Sequence, residues 1–310
     1  MLNSYSFWID ESKMNILHIW DQSGVACVLA KYQQKMGHSV KVMRRSNYDP
    51  YGIYKFYNNL VEFSDEKNYL DSCLKEANNA DIVHIHSRMD ALFYLRKKLG
   101  LKKKIVIHFH GSDLRGIKQK NIDTYFIKFP KTLFENYRAN IIRKKNNLLA
   151  GQTADIVILA TPDLKDQIIK ANPIVVNNPV DTEHFSKSTE SRTHSNETFF
   201  TFSTEATSST RWIINYCKKN GIKNLQVIDR TKYPIPYSDM PRFLQEFSTY
   251  VDVRYVNDKI LHNLSKTALE SLASGLKVIN YELKYKFNLP EEHEPTNVTN
   301  KIESIYQEIL

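Results

Sequence analysis

Residues 15–43 read NILHIWDQSGVACVLAKYQQKMGHSVKVM. A run rich in Ile and Leu leads into a turn holding Gly24, then an amphipathic stretch, then Gly37-His38 and a second apolar run, SVKVM (39–43). Strands buried on both faces read as continuous apolar runs, and two parallel ones need a crossover between them, so this stretch is a βαβ unit. The pattern continues in ADIVHIH (80–86), KIVIHFH (104–110), ADIVILA (154–160) and PIVVNNP (173–179), with helical segments between most of them. Such a series predicts an α/β, doubly wound parallel sheet over residues 14–185, with ligand sites at the carboxyl ends of its strands.

A polar stretch, SKSTESRTHSNE (186–197), carries no apolar periodicity and reads as a linker. A second, smaller series follows over 198–295. Its expected strands are TFFTFS (198–203), LQVID (225–229), YVDVRYV (250–256) and KVINY (277–281), with helices near 209–220, 240–248 and 265–274. The closing segment 296–310 places Ile302, Ile305, Tyr306 and Ile309 on one helical face, which is expected to pack back on the first domain. Residues 1–13 precede Met14 and the first strand, and are read as an extension outside the fold.

The 310 residues are 42% hydrophobic and 25% charged, which excludes a disordered chain and leaves room for two domains with real cores. The formal charge of +9 favours anionic partners. Cys27, Cys73 and Cys217 are odd in number and widely spaced, which argues for a reducing compartment, the cytoplasm, over a disulfide framework. No apolar run approaches the ~20 residues of a membrane span.

The motifs sit at expected strand ends. Gly24 lets the backbone approach a ligand closely, and the helix behind it presents free amides to an anion, although a lone glycine at such a place is more often just a turn. The dinucleotide pattern G-x-G-x-x-G and the P-loop are absent. In IVIHFHGSDLRG (105–116), His110 closes a buried strand and Gly111, Ser112, Asp113 and Arg115 follow at the sheet edge where an open sheet places its chemistry. The bland alternative makes Asp113 a turn cap. His84 and His86, in HIHSRMD (84–90), alternate with apolar residues as if facing a helix layer. No Asp-x-Asp pair and no His/Cys cluster at ligand spacing is present, so no metal is expected. In LSKTALESLASGLKVIN (264–280), Ser265 stands at a helix start and Gly275 at its end.

The segments SGVACVLAKYQQKMGHSVKV, ADIVHIHS, KIVIHFHGSDLR, ADIVILATPDLKD, VVNNPVDTEHF, DMPRFLQEFSTYVDV and LSKTALESLASGLKVI, in this order over 14 to about 282, resemble the family 4 glycosyltransferases. The resemblance implies the GT-B architecture of two Rossmann-like domains, the second smaller than usual here. It implies a glycosyltransferase of the EC 2.4 class that moves a sugar from a nucleotide-diphosphate-sugar to an acceptor hydroxyl, without metal or other cofactor and with retention of configuration. It places the donor diphosphate at Ser265, Lys266 and Thr267, the ribose at Glu270, and the reacting centre near His110 and Asp113. Gly24 joins the donor side; Gly111, Ser112 and Arg115 fall on the acceptor side. Two departures stand out. The family's E-x7-E pattern begins here at His262 instead of an acid, and its Arg/Lys pair after the first strand of the second domain is represented only by Arg211, with Arg230 and Lys232 as substitutes. A catalytically silent GT-B binding or scaffold protein, or a sugar-nucleotide epimerase, therefore stays open beside the enzyme.

YLRKKLGLKKK (94–104), IIRKKNNLL (141–149) and the aromatic, cationic YFIKFPKTLFENY (125–137) are either solvated charge or a face for an anionic membrane that carries a lipid-linked or glycan acceptor. No base-stacking or groove-reading motif supports a nucleic-acid partner.

Overall fold

The computed structural model describes residues 13–21, 23–46, 49–115, 141–142, 145–146, 148–168, 171–187, 197–203, 210–230, 232–256 and 259–310. The linker core 188–196 and the segment 125–137 lie outside the described residues.

The first sheet has seven parallel strands in the order β3-β2-β1-β4-β5-β6-β7. They are β1 (Asn15–Ile19), β2 (Ser39–Arg45), β3 (Val61–Ser64), β4 (Ile82–His86), β5 (Lys104–Phe109), β6 (Ile156–Leu159) and β7 (Ile174–Val175). The chain order reverses between β1 and β4, which opens a crevice at their carboxyl ends. Helix α1 (Val25–Lys35) crosses from β1 to β2; the short α2 (Ile53–Phe56) precedes β3; α3 (Tyr69–Asn79) and α4 (Met89–Leu99) flank β4; α5 (Ser112–Arg115) follows β5; and α6 is helical over 148–153. The edge strand β3, VEFS, escapes the sequence pattern because Glu62 and Phe63 are both exposed, so neither alternation nor a buried run is present.

The second sheet runs β14-β13-β10-β8-β9. Its strands are β8 (Phe199–Ser203), β9 (Leu225–Asp229), β10 (Thr249–Val251), β13 (Lys277–Ile279) and the antiparallel edge β14 (Tyr285–Lys286). The single strand expected over 250–256 is instead two. Asp252 leaves the sheet, its carboxylate accepting the Ser265 amide at 2.7 Å and facing Arg254 at 3.2 Å, and Tyr255–Val256 (β11) turns to pair antiparallel with Lys259–Ile260 (β12). A polar contact that terminates a strand is invisible to hydrophobic periodicity. Helices α7 (Thr210–Lys219), α8 (Met240–Leu244) and α9 (Lys266–Ala273) cover this sheet.

One buried cluster joins the two sheets. Ala26, Cys27 and Ala30 of α1 and Tyr54 and Tyr57 of the first domain pack with Phe200, Tyr237, Met240, Leu269 and Leu272 of the second. Hydrogen bonds reinforce it: the Tyr237 amide donates to the Tyr51 carbonyl at 2.7 Å, the Tyr57 and Tyr237 hydroxyls lie 3.1 Å apart, and Tyr57 donates to Asp181 at 2.7 Å. Lys31 pairs with the same fully buried Asp181 at 2.8 Å.

Helix α10 (Pro295–Gln307) lays Val298, Ile302, Ile305 and Tyr306 on Met14, Ile16, Val25 and Leu29 of the first domain. Ile302 is fully buried there. Ile302→Val is expected to cost about 0.5–1.5 kcal/mol of unfolding free energy, the price of one methylene and its void, read as a lower urea midpoint at unchanged slope. Among the described residues no helix is long and apolar enough to cross a membrane.

Candidate functional site

The carboxyl edge of β1 supplies the first wall. Asp21 turns back on the start of α1 and accepts the amides of Gly24 at 2.6 Å and Ala26 at 2.5 Å. This corrects the expectation that α1 offers its free amides to a ligand anion, because the chain's own carboxylate fills that position. Gly24 matters differently. Its φ of 82° favours glycine, and a Cβ there would stand 3.0 Å from Lys266 Nζ of the second domain.

The second wall is the edge of β4 and β5. Asp113 accepts the amides of His110 at 2.8 Å, Gly111 at 2.7 Å and Leu114 at 3.0 Å, and the Ser87 hydroxyl donates to it as well. With four donors on two oxygens, Asp113 is engaged by the loop it holds, so the expectation that it is a reacting group is corrected to a positioning one. His110, half-buried, hydrogen-bonds His86 at 2.9 Å and Asn178 at 3.1 Å. Burial pushes its pKa down, against the pull of Asp113, Asn178 and Asp21; the Lys266 charge adds to the depression. His110 is thereby kept neutral and able to accept a hydrogen bond. Ser112 and Arg115 lie in the α5 turn directly after it.

The second domain closes the site with α9. Ser265 is its N-cap, accepting the Ala268 amide at 3.1 Å, which leaves the amides of Lys266 and Thr267 without a carbonyl one turn back. Lys266 reaches across the domain boundary, donating from Nζ to the Ser23 carbonyl, and stands 3.8 Å from Glu270 one turn on. Glu270 is buried; burial raises its pKa while Lys266 and Arg230 lower it. Arg230, at the end of β9, lies over the Tyr51 ring at 4.1 Å and the Phe202 ring at 5.1 Å. Gly24, Lys266, Glu270 and Arg230 are thus brought together, and the Lys266 charge acts on His110. Arg211 is not: it is exposed on the first turn of α7, outside the hydrogen bonds and ion pairs of that cluster. Lys232 is exposed and lies 4.0 Å from Asp229, and His262, where the family has its first acid, stacks on Tyr281 at 4.6 Å. In the basic run 94–104, Arg96 pairs with Asp155 at 2.6 Å and ties down the carbonyls of Gly100, Lys103 and Thr153, so part of that charge is structural.

Sequence reading took His84, His86 and His110 singly and did not gather the row they belong to. His18, His84, His86, His108 and His110 come from three adjacent parallel strands with His18 opposite His84 and His86 opposite His108, which puts all five rings on one face of the sheet. Two His-x-His runs were the available signal, but strand register, which no single sequence displays, decides the gathering. His18, His84 and His86, and likewise His86, His108 and His110, hold nitrogens within 4.8 Å of one another, the donor type and range of a transition-metal site. Their rings, however, face one another at centroid distances of 4.3–5.5 Å and interplanar angles of 9–34°. His86, which belongs to both triads, already engages its two ring nitrogens in hydrogen bonds, to His18 at 3.0 Å and to His110 at 2.9 Å. The residues fit a hydrogen-bonded stack better than a metal ion.

Two Rossmann-like sheets whose carboxyl edges oppose each other, with a cation and an acid on the second-domain helix, define the GT-B class of glycosyltransferases. The chain belongs to Glycosyltransferase Family 4, whose model matches residues 23–184, just over half of its length. Similar solved structures include Anabaena Alr3699/HepE in complex with UDP (TM-score 0.51, 10% identity, 95% of this chain and 90% of that one). Another is an alpha-glucosyltransferase in complex with UDP and a 13-mer DNA containing an A:G mismatch (TM-score 0.53, 13% identity, 96% and 91%). At such identities the likeness concerns the fold. No curated protein matches the chain by sequence.

Proposed function

We propose that the chain binds a nucleotide-diphosphate-sugar between its domains and transfers the sugar to an acceptor hydroxyl. The observation that carries this reading is the meeting of Lys266 and Glu270 with the Gly24 turn across the domain boundary. Lys266, the amides of Lys266 and Thr267, and Arg230 supply positive charge for the diphosphate, and Glu270 accepts the ribose hydroxyls. His110, neutral, accepts the hydrogen bond of the reacting hydroxyl; Asp113 holds the loop in which it sits. Gly111, Ser112 and Arg115 take the acceptor side. Protein cations and helix amides replace a divalent ion in this mechanism, and retention follows from the family resemblance. The acceptor is a glycan or a lipid-linked glycan, met in the cytoplasm or at an anionic membrane surface by the basic segments of the first domain.

One observation favours a silent binding protein instead: Lys266 is already engaged by the Ser23 carbonyl and Glu270. Calorimetric titration with a panel of nucleoside diphosphates and their sugars, followed by turnover with glycan acceptors in the presence of chelator, separates the two. Binding with chelator-resistant turnover supports the transferase; binding without turnover supports the silent protein; no binding by any member sinks both.

Glu270→Ala is expected to weaken nucleotide binding by about 1–3 kcal/mol, the loss of hydrogen bonds to a charged acceptor, with the thermal midpoint of the unliganded protein close to the parent's. Unchanged affinity removes Glu270 from the ribose.

A further inference from the structure

A continuous line of hydrogen bonds runs from the C-terminal helix to His110. The Met14 amide donates to His38 Nδ1 at 3.2 Å, and His38 Nε2 lies 3.1 Å from Glu303 of α10. Glu303 accepts Gln33 Nε2 at 3.1 Å, and Gln33 Oε1 contacts His18 Nε2 at 2.7 Å. His18 Nδ1 contacts His86 Nε2 at 3.0 Å, His86 Nδ1 contacts His110 Nε2 at 2.9 Å, and His110 Nδ1 contacts Asn178 at 3.1 Å. Gln33, His18, His86, His38 and Glu303 are all buried, so these polar atoms have one another and little water.

The Glu303 end gives the line a direction. Met14 donates to His38 Nδ1, but the nearby His38 Nε2 and Glu303 oxygen make no hydrogen bond with each other, so the line proper begins at Glu303. The Glu303 carboxylate only accepts, so Gln33 turns its NH₂ toward it and its oxygen toward His18. His18 must then be protonated on Nε2 with a bare Nδ1; His86 donates to that from Nε2; His110 donates from Nε2 to His86 Nδ1. Between Gln33 and Asn178 there are four hydrogen bonds, and three neutral imidazoles bring three protons. An amide oxygen at both ends leaves one bond without a proton. Either one ring is an imidazolium, or Asn178 presents its NH₂ to His110. Burial depresses all three rings, His18 to about 4, which disfavours the imidazolium. The orientation of Asn178 is free to answer this, because its backbone and not its side chain is held, its carbonyl accepting His293 Nδ1 at 2.8 Å.

We infer that Glu303, Gln33, His18 and His86 are positioning residues that hold His110 in its Nε2–H tautomer, leaving Nδ1 as its basic atom and Asn178 as the donor opposite it. The inference deepens the transferase reading, on which the use of that basic atom rests. The C-terminal helix thereby sets, from the same face of the sheet as the histidine row, which nitrogen of His110 is bare, and a hydroxyl reaches that nitrogen by displacing the Asn178 amide.

The test needs no activity, so it can fail or succeed apart from the transferase reading. Long-range proton–nitrogen correlation spectra of the full chain labelled with ¹⁵N-histidine are expected to show His18, His86 and His110 protonated on Nε2 and bare on Nδ1. A proton on Nδ1 of any of the three, or a doubly protonated ring, overturns the inference. Gln33→Leu removes the link that gives direction; His110 should then show a mixture of tautomers while His38, held by the Met14 amide, stays Nε2–H. A folded Gln33→Leu protein, judged by near-UV circular dichroism, in which His110 keeps a single Nε2–H form also overturns it. Asn178→Asp, which offers His110 only acceptors, should give a doubly protonated His110, and a singly protonated ring there counts against the scheme. If Gln33→Leu does not fold, the parent and Asn178→Asp spectra decide.

Discussion

Replacement of His110 by alanine is expected to lower turnover by roughly 10²- to 10⁴-fold, the range lost with a positioned proton-accepting group, while the affinity for nucleoside diphosphate changes less than threefold. The split follows from the geometry. His110 belongs to the first-domain edge and is tied to His86 and Asn178, whereas the residues assigned to the nucleotide sit on α9 and at the end of β9. Initial rates and calorimetric affinities measured on one preparation check both halves. Parent-like turnover removes His110 from the reacting centre; equal loss in both quantities makes it a structural member of the site.

Lys266→Ala should weaken a nucleoside diphosphate by about 10- to 100-fold, the size of one or two charge-assisted hydrogen bonds, and should leave the free nucleoside within about threefold. The selectivity is the informative part, because the nucleoside carries no charge at that position. Two opposing effects enter. Loss of Lys266 removes a donor to the Ser23 carbonyl that joins the domains, which hurts both ligands, and it leaves the buried Glu270 with only Arg230 to offset its desolvation. Arg230→Ala and Arg211→Ala measured beside it separate the terms. Arg230 lies close enough to Glu270 to lower its pKa, so a phosphate-selective loss in Arg230→Ala marks a shared role; Arg211 stands apart and should change little. If none of the three discriminates between diphosphate and nucleoside, the silent-protein reading is the better one.

The sequence alone determined the parallel α/β class, the positions of the buried strands, the division into two sheets and the helix start at Ser265. Each of these rests on local chemistry: apolar runs of strand length, turn residues between them, and a hydroxyl that caps amides within three residues of itself. It also determined, through ordered motifs, the family to which the chain belongs. It did not determine what the charged and polar groups do once the chain is folded. Asp113 looks like a reacting group in one dimension, and the start of α1 looks open to an anion; Asp113 and Asp21 instead accept backbone amides there, because those amides are placed by loop conformation. The break of the expected strand at Asp252 has the same origin, a carboxylate drawn to a helix thirteen residues on. The contact of Lys266 with the Gly24 turn spans 243 positions, and the line from Glu303 to His110 draws on α10, α1 and three strands. Such contacts depend on strand register and domain docking, which sum weak apolar interactions over both sheets and leave no local mark on the residues they bring together.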